Sequence, residues 1–120
     1  MIESLALWTV LAVVEKIAGA VGFYDGGKRV AGVKVGTHPH EIVTSPDGRT
    51  LYVSDNGILW MTEAGEGGNT ISVLDARSRR KLGVIDLGKH RRPHGMAVDP
   101  GPGQGDGGFG GTQKDRAGDR

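Results

Sequence analysis

Apolar and polar positions alternate along this chain in short runs, and helical periodicity is weak. Runs rich in Val, Ile, Leu, Thr and Tyr predict strands near 9–15, 20–25, 30–35, 40–45, 50–55, 70–75, 82–87 and 94–99. Turn chemistry separates them. Asp25-Gly-Gly, Pro46-Asp-Gly, Asp55-Asn-Gly and Gly65-Glu-Gly-Gly-Asn offer residues that accept positive φ. Residues 4–18 also admit a helix on their apolar positions. Ile58–Gly68 reads as an insertion between two strands and carries Trp60, Met61, Glu63 and Glu66. The segment 101–120 has eight glycines, one Phe and no aliphatic side chain larger than Ala. It buries too little apolar surface to offset the entropy of ordering, so it is predicted to be disordered.

Composition sharpens this picture. Glycine supplies 22 of 120 residues, which argues against a helix-rich protein because each glycine weakens a helix interior. The length fits one domain at most. There is no cysteine, hence no disulfide framework and no thiolate metal site. The formal charge of +1 argues against bulk polycation behaviour towards nucleic acid or membrane. The apolar run Leu5–Val14 is ten residues long, half of what a spanning helix needs. Its only preceding charge is Glu3, and the first basic residue is Lys16, so it makes a poor signal peptide.

The runs also repeat. Pro39-His-Glu-Ile-Val-Thr-Ser-Pro46 aligns without gaps on Pro93-His-Gly-Met-Ala-Val-Asp-Pro100. Val33-Lys-Val-Gly36 matches Ile85-Asp-Leu-Gly88, and Gly22-Phe-Tyr-Asp25 matches Ser72-Val-Leu-Asp75. Val10–Glu15 corresponds to Thr50–Asp55. Repeated short strands of this kind read as a repeat architecture.

The copy from Pro39 to Asp75 carries a resemblance. Its Pro39-His-Glu-Ile-Val-Thr-Ser-Pro-Asp-Gly48, then Leu51-Tyr-Val, then Asn69-Thr-Ile-Ser-Val-Leu-Asp75, resembles the YVTN-family β-propeller repeat. The resemblance covers about residues 9–100. It implies an all-β fold, a partial propeller of about two four-stranded antiparallel blades. It also implies kinship with nitrous-oxide-reductase-like and lactonase-like propellers, and an extracytoplasmic setting. Propellers use four to eight blades, and two blades leave sheet edges exposed to pairing. Three explanations stand side by side: a fragment of a longer product, self-association (three chains closing six blades), or a marginal small β-unit. The second copy gives way to Gly-Pro-Gly-Gln-Gly where the family pattern would continue.

Candidate chemistry begins with His38, His40 and His94. In a propeller the Pro-His positions precede the strand lining the central channel, where imidazoles from successive blades converge and become possible metal ligands. The plainer reading makes Pro-His a repeat-start element. Glu41 has Gly95 as its repeat partner, so it is no part of the repeat and is the best single candidate for a function-specific residue. His40, Glu41 and His94 are therefore the ligand-binding candidates. Seven basic residues, among them Arg77, Arg79, Arg80, Lys81, Arg91 and Arg92, fall within 77–92. They form a candidate anion-binding patch, without the aromatic residues that single-stranded nucleic acid would stack on.

Other motifs fail on inspection. Asp55–Glu66 has the length of a calcium loop but lacks its oxygen ligands at Gly57 and Leu59; a looser calcium contact through Asp55, Glu63 or Glu66 stays open. Gly22–Lys28 has the letters of a phosphate loop but is followed by Arg29 and a strand, so it reads as a hairpin turn. Gly103–Gly108 matches a dinucleotide pattern with no helix after it. No serine sits in a nucleophile elbow. The sequence thus points to a non-enzymatic binding or interaction module, with no cofactor, no membrane span and an unidentified ligand or protein partner. The alternative is a piece of a lactonase-like or metal-dependent redox propeller using His40, Glu41 and His94. The expected core between the sheets is Val33, Val35, Ile42, Val53, Ile71, Val73, Ile85, Leu87 and Val98.

Overall fold

The computed structural model describes residues 10–101. The expected disorder of the glycine-rich tail and most of the signal-peptide question fall outside the described residues. The described chain is all-β. Its strands are β1 (Val10–Glu15), β2 (Ala20–Asp25), β3 (Lys28–Lys34), β4 (Pro39–Thr44), β5 (Thr50–Asp55), β6 (Thr70–Asp75) and β7 (Arg80–Asp86). They form two antiparallel meanders, a three-stranded sheet ordered β1-β2-β3 and a four-stranded sheet ordered β4-β5-β6-β7. This is a partial, propeller-like arrangement. Residues 10–15 are strand, so the helical option for 4–18 does not hold over that stretch.

The expectation of eight strands meets seven among the described residues. The three-stranded sheet matches the last three strands of the other, as the repeats at 10–15, 22–25 and 33–36 require. The segment 94–99, expected as a strand, is not paired into either sheet. A strand needs a neighbouring ladder to satisfy its backbone groups, and among the described residues no strand forms a ladder with this segment; its contacts run to side chains of the β4–β5 hairpin instead.

Turns follow the sequence closely. The β2–β3 hairpin turns on Gly26 and Gly27, at φ 58° and 82°. Two successive positive φ values suit a tight hairpin, so the phosphate-loop letters are indeed a turn.

Period-two patterning sets the core. Val10, Ala12, Val14, Val21, Phe23, Ala31 and Val33 line the face of one sheet, and Ile42, Leu51, Val53 and Leu74 line the face of the other. Val21, Val53 and Leu74 are fully buried. The expected core therefore needs correction in two ways. Phe23, Leu51 and Leu74 carry much of it, whereas Ile85 is 46% exposed. β7 is the outer edge strand and all seven of its residues are exposed. Among the described residues its apolar side chains, Leu82, Val84 and Ile85, stay exposed.

The buried carboxylate of Asp55 fastens the link between the sheets. Its Oδ1 accepts the Gly36 N–H at 2.9 Å. Its Oδ2 accepts the hydroxyls of Thr70 at 2.7 Å and Ser72 at 2.8 Å. A buried charge is tolerated when it is hydrogen-bonded this fully.

Candidate functional site

His40 and Glu41 sit near the start of β4, where the β4–β5 register shifts between Pro39 and Ile42. Such an irregularity re-aims side chains. Here the Glu41 N–H leaves the ladder and donates to Ser54 Oγ at 3.0 Å. The same hydroxyl reaches the His94 carbonyl at 3.1 Å. Asn56 Nδ2 donates to the Pro93 carbonyl at 3.0 Å, and Met96 N–H donates to Glu41 Oε2 at 2.9 Å. Thus Ser54, Asn56 and Glu41 hold the second Pro-His element against the β4–β5 hairpin.

The result is a convergence of three side chains. His40 and His94 stack with ring centroids 3.7 Å apart at an angle of 35°. One possible ligand atom from each of His40, Glu41 and His94 lies within 4.8 Å of the other two. His40 Nδ1 is buried with no hydrogen-bond partner. Burial first, then the nearby His94 and Lys16 charges, push the His40 imidazole below its usual range, while Glu41 pulls it back. A cavity of about 200 Å³ opens here, lined by Lys16, His40, Asn56, Ile58, Met61, Arg92 and His94.

The remaining candidates are placed elsewhere or occupied. His38, at φ 45°, lines a separate depression with Ile17, Lys34 and Thr37. The basic run is divided. Arg77 and Arg79 lie at the β6–β7 turn, with the Arg79 guanidinium 5.6 Å from the Phe23 ring centre; Arg80 and Lys81 open β7. Arg91 pairs with Glu66 at 3.5 Å. Arg92 donates to the carbonyls of Glu63 at 2.9 Å and Gly65 at 2.5 Å, clamping the insertion. Of the calcium candidates, Asp55 is buried and spent on the sheet link, and Glu63 Oε1 accepts the Leu59 N–H at 2.9 Å. Asp55 thus has both carboxylate oxygens engaged.

Lys16, Asn56 and Ser54 were not singled out from sequence. The repeat held a usable signal: Ser54 and Asn56 alternate along β5 and its extension, so both reach the side that receives the second Pro-His element.

No family model matches this chain, and no curated protein matches it. Among solved structures it resembles hydrazine synthase of Kuenenia stuttgartiensis, with a TM-score of 0.54 and 30% identity over 64% of this chain. The match spans 20% of that protein's chain.

Proposed function

We propose that this chain is a non-enzymatic interaction module built of YVTN-type propeller blades, and that it works by strand pairing with a second copy. The observation that supports this is the segment Pro93–Val98. It repeats β4 in sequence, it is pinned to the β4–β5 hairpin through Ser54, Asn56 and Glu41, and among the described residues it is not paired into a sheet. β1 offers the complementary edge. Among the described residues it pairs with β2 alone, and it corresponds in the repeat to β5, the strand that β4 pairs with. An unpaired edge and an unpaired strand of one repeat are mutually complementary. The likeness to a fifth of a longer chain is in keeping with a unit of a larger β assembly.

The β4–β5 register, with Ile42 opposite Val53 and Thr44 opposite Leu51, carries over by the repeat. It places Met96 of one copy opposite Val13 of the next, and Val98 opposite Leu11. The test is Met96→Cys combined with Val13→Cys, oxidised mildly. Covalent dimers and higher rungs are expected, together with a mass above the monomer by light scattering. The pair Met96→Cys and Ala12→Cys, one residue out of register, should link poorly. A monomer at all concentrations that yields no intermolecular disulfide removes the reading.

A second reading, a lactonase-like or metal-dependent redox propeller, is favoured by the grouping of His40, Glu41 and His94 alone. Turnover of a lactone or a redox dye that disappears in His94→Ala would support it. No turnover would leave the interaction module.

A further inference from the structure

We infer that His40, Glu41 and His94 form a binding site for a divalent transition-metal ion of the zinc class. This inference uses other observations than the strand-pairing proposal, and the two fail separately.

Two imidazoles and a carboxylate are a donor set suited to Zn²⁺ and its borderline neighbours, rather than to Ca²⁺ or Mg²⁺. Three features of the fold assemble it. The β4 irregularity lets adjacent residues His40 and Glu41 serve one site, although an ordinary strand would send them to opposite faces. The second Pro-His element brings His94 alongside, fixed through backbone atoms, so its ring is not used up in the anchoring. Glu41 spends Oε2 on the Met96 N–H, which orients the carboxylate and leaves Oε1 for a metal. Ligating carboxylates are commonly steadied in this way.

Two further observations support a ligand at this cluster. His40 Nδ1 is buried without a partner, and a buried nitrogen in that state calls for an ion or a water. The site also opens on the cavity lined by Lys16, Asn56 and Arg92. That leaves a coordination position for an outside ligand, and the two cationic side chains would favour an anionic one.

The geometry requires a small closure. Donors about 2.0–2.1 Å from a tetrahedral ion lie roughly 3.4 Å apart, while the set here spans up to 4.8 Å. His94 is exposed and lies in a segment with no strand pairing. Rotation of its ring therefore closes the set without disturbing the core.

The experiment is calorimetric titration of the metal-free 120-residue chain with Zn²⁺, with Co²⁺ as the spectroscopic probe. One ion per chain is expected, and Co²⁺ should give the intense visible bands of a tetrahedral N/O site. His94→Ala should abolish both signals while leaving the fold intact, because the side chain is exposed. Glu41→Gln should weaken binding by roughly ten- to a hundredfold. His90→Ala, an exposed histidine outside the cluster, should change nothing. No heat and no cobalt bands would overturn the site. So would binding that survives His94→Ala, or that falls equally with His90→Ala.

Discussion

The carboxylate of Asp55 on β5 accepts the backbone N–H of Gly36 at 2.9 Å, joining the four-stranded sheet to the segment that arrives from the three-stranded one. The contact is close on both sides. A Cβ placed on Gly36 would lie 2.5 Å from the Asp55 Cγ. Asp55→Ala strands the Gly36 N–H, the buried Ser72 hydroxyl and the half-buried Thr70 hydroxyl, and should cost about 2–4 kcal/mol. Asp55→Asn should cost less, because an amide can accept from Gly36 while the hydroxyls reverse direction. Gly36→Ala should cost about 1–3 kcal/mol by overpacking. Urea denaturation of the three variants orders them; an Asp55→Ala chain as stable as the parent would refute the linking role.

Leu74 lies at the centre of the core, fully buried among Val21, Phe23, Leu51 and Val53. Leu74→Ala should destabilise by about 2–5 kcal/mol. Ile85→Ala, on the exposed edge strand, should cost well under half of that. Thermal melts of both variants check the contrast. Equal losses would mean that β7 is covered in solution.

Acid should loosen the three-stranded sheet through Glu15. The Arg29 guanidinium, at 2.8 Å, and then the Tyr24 hydroxyl hold its carboxyl below the usual range. A depressed folded value stabilises fully above the unfolded value of about 4.3. That contribution is lost as pH falls through the folded value. Unfolding followed from pH 7 to pH 2 should therefore show a shallower acid loss in Glu15→Gln than in the parent. An unchanged slope would exclude the pair as a source of pH dependence.

Arg92 clamps the insertion by reaching the carbonyls of Glu63 and Gly65. The insertion also displays Trp60 and Met61, 68% and 84% exposed. Arg92→Ala should release it with little change in global stability. Thermolysin should then cut near Leu59–Met61 several times faster than in the parent. Equal cleavage rates would show that the Arg92 clamp is not what holds the loop.

The strands from Val10 to Asp86 were legible because their signals are local. Period-two alternation and turn residues such as Gly26-Gly27 act over a few positions, and the repeat reinforced each assignment. The core was only partly legible. Alternation marks Ile85 and Leu74 alike as apolar positions, and only the stacking of one sheet on the other selects Leu74. The same holds for 94–99, whose residues suit a strand but which is not paired into a sheet among the described residues.

The sequence by itself determined the all-β class, the hairpin turns and the equivalence of the two Pro-His elements, because each rests on short-range chemistry or on repetition. The tertiary structure alone decided that His40 and His94, fifty-four positions apart, stack on one another. That contact requires Ser54 and Asn56 to hold Pro93 and His94 against β4, and it requires the β4 irregularity to turn Glu41 towards Met96. The same packing took Asp55 out of the metal-ligand candidates, since a buried carboxylate must use its lone pairs on the donors that surround it.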